Sequence, residues 1–221
     1  MGDVNLQLLV GQDTPRSETE GNQAYFKGSK RGEACIIDFY TEMMMEGRGF
    51  QVRAGTITTP LVGDVAITDT AAELAVNAVQ GLALIVVFFN LSIRLGTGTL
   101  HEYALKSIDG AAVVGTGAAF VPLPVMMETA AVSSQATAFV GAAGAVTVLA
   151  ELATNTRRLW SASNPLAVGA GHSPSSYNYS PRSPHTIANN AHVYAQIAAT
   201  TTGPSYYASL DYIELKWVNI S

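Results

Sequence analysis

The chain has 221 residues, a formal net charge of −5, 13% charged residues and 48% hydrophobic ones. That balance excludes disorder over the whole chain, which needs low hydrophobicity and high charge. Lys and Arg number 12 against 17 Asp and Glu, which excludes a polycation, and the one cysteine, Cys35, excludes an intrachain disulfide framework and a cysteine-based zinc site.

The charged share is about half the usual one. Soluble monomers ordinarily carry a more charged surface, so much of this surface is expected to be covered by copies of the chain. The length suits one large all-β domain or at most two small ones. No basic stretch followed by an apolar core opens the sequence, so no secretory signal is expected. The longest apolar run, Leu82 to Phe89, is far shorter than the ~18–20 residues that span a bilayer.

Residues 1–32 read as a polar N-terminal arm. A short apolar piece, Leu6 to Val10, precedes the aperiodic stretch Thr14 to Gln23. Lys27, Lys30 and Arg31 then form a glycine-bounded basic patch beside Tyr25 and Phe26. These three cations are the candidate nucleic-acid contact, since mobile cations reach phosphates and neighbouring rings stack on bases. The arm has too few apolar groups to hold itself in place, and it is expected to lie on a neighbouring copy or under an assembly.

Residues 33–221 carry strand signals. Glu33 to Thr41 is β-branched and aromatic and reads as a strand. Phe50 to Arg53 alternates, and Glu73 to Val79 places Leu74, Val76 and Ala78 on one face. Asn90 to Leu95 also alternates, and the glycine-rich turn at Gly96 predicts a hairpin returning through Thr99 to Ile108. Further strands are expected at 118–121, 136–140 and 145–152. Asn164 to Pro184 carries four prolines and reads as a long loop, in which Tyr177 and Tyr179 are the candidate interface residues. His192 to Ile197 and Ser205 to Trp217 read as two paired strands, with Ile213, Leu215 and Trp217 toward the core and Glu214 and Lys216 in water. No amphipathic helix stands out. Eight or more strands separated by turns predict an all-β sandwich, as a single jelly roll, spanning residues 33–221 behind the arm.

Chemistry is sparse. The histidines His101, His172, His185 and His192 are not accompanied by a Gly-x-Ser-x-Gly elbow. His101-Glu102 lacks the second histidine of a zincin motif, and Asp64 and Asp69 read as turn residues. Glycine-rich turns lack the phosphate-loop lysine. Asp211 and Glu214 fall on opposite strand faces and make no carboxylate pair. No catalytic residue, metal ligand or cofactor is expected. Arg157 and Arg158 near Trp160 form a second, weaker basic site, and the methionine runs at 43–45 and 126–127 suit deformable packing.

With its polar arm, strand-only domain, proline-rich loops and charge-poor Ala/Gly/Thr/Val composition, the chain resembles the small single jelly-roll coat proteins of icosahedral viruses and phages. The resemblance implies a structural, non-enzymatic role in a virion, made in the host cytoplasm and assembled from copies of the chain with other virion proteins and the packaged genome as partners. The ending Ser209 to Leu215 is similar to the final strand of carbohydrate-binding jelly rolls, which implies the alternative of an oligomeric carbohydrate- or receptor-binding module.

Overall fold

The computed structural model describes residues 8–9, 24–25, 39–96, 100–110, 117–125, 133–165, 174–181 and 185–217. Its elements are β1 (Leu8–Leu9), β2 (Ala24–Tyr25), α1 (Phe39–Met45), β3 (Gly49–Ala54), β4 (Leu61–Val62), β5 (Ala71–Ala72), β6 (Leu74–Asn77), β7 (Leu82–Leu95), β8 (Leu100–Ile108), β9 (Ala118–Phe120), β10 (Leu123–Pro124), β11 (Thr137–Val140), β12 (Val146–Thr147), β13 (Thr156–Pro165), β14 (Ser175–Tyr179), β15 (Thr186–Ala188), β16 (His192–Ala199) and β17 (Ser205–Lys216).

Eight of these strands follow one pairing rule, all antiparallel. In chain order the first pairs the last (β3–β17), the second the seventh (β6–β16), the third the sixth (β7–β14) and the fourth the fifth (β8–β13). Two further pairings, β17–β7 and β16–β8, join these ribbons side by side. The result is an all-β sandwich. Its first sheet runs β10-β3-β17-β7-β14, with β4 and β15 attached to β17 and β7, and its second runs β13-β8-β16-β6-β11-β9.

This order corrects both expected hairpins. β7 and β8 lie in different sheets, as do β16 and β17. Turn residues signal that the chain reverses, but not whether it returns beside itself or crosses the sandwich. Crossing lets each strand cover the apolar inner face of the other sheet.

The main core lies between the sheets, and β7 shows how. Leu82, Leu84 and Val86 point inward, and after a register shift so do Phe89, Leu91 and Ile93. The extra residue of a β-bulge switches the parity. On the outer side, Ile85 and Val87 pack with Ile213, Leu215 and Met43 of α1. Both faces are covered, which is why 82–89 is apolar without alternation.

The helix α1 replaces the strand expected through Thr41; residues 33–38, with Cys35, lie outside the described residues. Tyr40, Met43 and Met44 share its sheet-facing side at i, i+3, i+4 spacing. The helix is too short for that period to stand out in sequence. Its end, however, is written there. Gly47, at φ +73°, donates to Met44 O at 3.1 Å, and Arg48 N donates to Met43 O at 3.0 Å. That is a Schellman C-cap, which favours glycine at the left-handed position.

In β17 the even residues Tyr206, Ala208, Leu210 and Tyr212 face the inter-sheet core. Ile213 and Leu215 are buried as expected, but under α1 on the outer side. Glu214 is buried rather than in water, while Lys216 is exposed. The expected strand at 145–152 shrinks to β12, which pairs with β5. The expected loop from Asn164 is also revised. β13 extends to Pro165 and β14 occupies Ser175–Tyr179, paired with Ile93–Phe89 of β7.

Candidate functional site

Lys27, Lys30 and Arg31 lie outside the described residues, as do His172 and Cys35. Nearby, β1 and β2 pair in parallel, Leu8 with Ala24 and Leu9 with Tyr25. Arg157 and Arg158 are exposed at the start of β13, where Arg158 stands opposite Lys106. The ladder shifts register between Arg158 and Trp160, and both Leu159 and Trp160 pack on the core.

Tyr177 and Tyr179 are half-buried and rest on the core of their own chain. The Tyr177 ring lies 5.2 Å from Tyr103 and 6.1 Å from Trp160, whose ring is 5.8 Å from Phe89. These aromatics fill the edge of the sandwich where β13 and β14 end the two sheets. Residues 175–179 are thus a strand held by pairing with β7 and by ring contacts within the chain, where a loop was expected.

Away from the apolar patch under α1, the outer face of the first sheet is polar. Asn90 Nδ2 donates to Asn178 Oδ1 at 2.6 Å and to Ser176 Oγ at 3.1 Å, and Ser92 Oγ donates to Asn90 Oδ1 at 3.3 Å. Further across, Gln51 Nε2 donates to Asp211 Oδ1 at 2.7 Å, and Arg53 Nε donates to Gln51 Oε1. Burial holds the Asp211 carboxyl above its usual range, against the pull of Gln51 and Arg53. Tyr207 and Ser209 complete the face. These residues alternate with core residues along each strand, so the fold aims amides and hydroxyls outward as a block.

The outer face of the second sheet is covered by the chain itself. Val146 and Val148 pack on Tyr194 and Ile108, and Gln196 Nε2 donates to the carbonyls of Thr68 and Ala71. Glu151 accepts from Lys106 Nζ at 2.6 Å and from Tyr194 Oη at 2.8 Å.

Two buried carboxylates hold connections in place. Glu73 accepts the backbone N–H of Ile197 (2.7 Å), Gly144 (3.1 Å) and Asp64 (3.2 Å). Burial, with Asp64 nearby, pushes its carboxyl up to about 8, despite those three donors. Glu214 accepts from Ser134 Oγ and from the N–H of Gln135 (3.0 Å) and Ala136 (3.2 Å). Its carboxylate borders a pocket of about 190 Å³ with Glu46, Arg48, Phe50 and Lys216. Its hydrogen bonds run to the 134–136 segment, so its role is anchoring. Sequence inspection missed both carboxylates, because each partner is more than sixty residues away or is a backbone group.

His192 is fully buried, both ring nitrogens lack a hydrogen-bond partner, and burial lowers it to about 4. It is therefore neutral at ordinary pH. His101 Nδ1 lies 2.9 Å from Tyr103 Oη, and His185 is exposed. No group of three His, Cys, Asp or Glu side chains converges among the described residues. No described helix is long and apolar enough to cross a membrane. The chain matches no protein-family model, and no curated protein matches it.

Proposed function

We propose that the protein is a structural coat subunit that assembles from many copies of itself into a closed icosahedral shell. The observation that carries this reading is the strand pairing, first with last through to fourth with fifth. Folding a ribbon so paired across two sheets yields a jelly roll, an architecture used by capsid subunits among other proteins. Because a fold alone does not assign a role, the charge-poor composition supports the choice. In this reading the chain is not an enzyme and binds no cofactor. Lys27, Lys30 and Arg31 contact the packaged genome, other virion proteins join the copies, and the protein resides in the virion. Electron microscopy and sedimentation of the purified full chain test the proposal. Regular shells or capsomers are expected; a monodisperse monomer across salt and pH would overturn it.

A second reading is favoured by one observation, the hydrogen-bonding outer face of the first sheet around Asn90, Asn178 and Tyr207. Amides, hydroxyls and one ring on a flat face suit a neutral glycan. A glycan-array signal from a discrete oligomer that forms no shell would favour this binding module.

A further inference from the structure

The strands that border the two sheets are finished differently. β4, β9, β10 and β15 are two or three residues long, with Pro122 before β10 and Pro124 within it. β13 is longer, but its ladder shifts register between Arg158 and Trp160, Arg157 and Arg158 stand exposed on it, and it ends at Pro165. Short strands, bulges, charges and prolines each keep an edge from pairing with another chain. β14 ends the first sheet with none of the last three. Ser175–Tyr179 carries no charge and no proline, and it pairs with β7 in unbroken register. Among the described residues, its backbone hydrogen bonds run to β7 alone. Its other edge presents a row of N–H and C=O groups open to a further strand.

We propose that β14 is where two copies of the chain meet, pairing antiparallel about a twofold axis so that the first sheet continues from one copy into the other. The inference rests on the assembly reading above and names its contact. The pattern of the strand itself selects a second copy as the occupant. Turned against itself about Tyr177, β14 sets Ser176 opposite Asn178 twice and Tyr177 opposite its own copy. Ser176 and Asn178 are exposed on the outer face, where Asn90 Nδ2 donates to Asn178 Oδ1 and to Ser176 Oγ. Among the described residues Asn178 uses only its oxygen, which leaves Nδ2 to donate to Ser176 Oγ of the second copy. The row of Asn90, Asn178, Ser176 and Ser92 then runs across the seam without a break. On the inner side the half-buried Tyr177 forms an aromatic cross-strand pair with its counterpart. A twofold contact uses the same patch on both copies, so the strand must complement itself, and this one does.

The test sets charges across the seam. Ser176→Lys with Asn178→Lys makes one variant of the full chain, and Ser176→Asp with Asn178→Asp makes another. Ser161→Asp with Ser163→Asp, at exposed positions of β13, is the control. Thermal unfolding confirms folding, and sedimentation velocity reads association. Each β14 variant alone is expected to weaken association at least ~tenfold, because like charges then stand directly opposite in two pairs. Mixing the two β14 variants is expected to restore association, since opposite charges then meet, and the control assembles as the unmodified chain does. If the unmodified chain associates and both β14 variants match it, the inference fails and the assembly reading stands. Association lost in the control alone moves the contact to β13 and overturns the inference. Loss in both β14 variants with no recovery on mixing overturns the self-paired register. If the unmodified chain stays a monomer across salt and pH, the inference and the assembly reading both fail.

Discussion

The carboxylate of Glu73 reaches the backbone N–H of Ile197 at 2.7 Å, joining residues 124 positions apart in the sequence. Its other oxygen holds Asp64 and Gly144, so one side chain ties the β4–β5 connection and the turn before β12 to β16. Replacing Glu73 by Ala leaves three backbone donors without acceptors. At about 1–3 kcal/mol for each unsatisfied buried group, the loss should reach at least about 3 kcal/mol. Urea unfolding of the variant checks it.

Glu73 and His192 set opposing pH dependences. Glu73 is raised from 4.5 to about 8, so the folded chain keeps a proton that the unfolded chain releases, and stability falls as pH rises through that window. His192 is lowered from 6.5 to about 4, so the unfolded chain holds a proton that the folded chain excludes, and stability is lost as pH falls through that window. The two slopes cancel between pH 4.5 and 6.5, and above 6.5 only the Glu73 decline remains, at up to about 1.4 kcal/mol per pH unit. Unfolding midpoints at pH 5, 6, 7 and 8 should show a plateau followed by a decline. Glu73→Gln should remove the decline, and a decline that persists unchanged would refute the assignment.

Tyr177 belongs to the aromatic edge formed with Tyr103 and Trp160. Tyr177→Ser should lower domain stability by about 2 kcal/mol, from lost burial and ring contacts. A thermal midpoint within a degree of the unmodified chain would show that the ring contributes nothing to the fold.

Thr201, exposed in the β16–β17 turn, has φ +73°, a left-handed conformation that costs a β-branched residue of order 1–2 kcal/mol. Thr201→Gly removes that strain at some cost in unfolded-state entropy, for a net gain of about 0.5–1 kcal/mol. The same change at Thr200 should bring no gain, since it has no such strain to relieve. Differential scanning calorimetry compares the two.

The all-β class and most strand positions are legible in the sequence, because alternation at Phe50 to Arg53 and Asn90 to Leu95 and the turn residues between strands are local signals. The sequence also determined that Asp211 and Glu214 point apart, a consequence of strand parity. Only tertiary structure decided which strands are neighbours. β7 and β8 are separated by a glycine-rich turn yet enter different sheets, since burying two apolar faces against each other outweighs local hairpin pairing. Ile213 and Leu215 read as core, but what covers them is a seven-residue helix too short to announce itself by period. Glu73 and Glu214 read as ordinary strand acids, because the backbone donors that bury them arrive from distant segments and leave no mark in sequence.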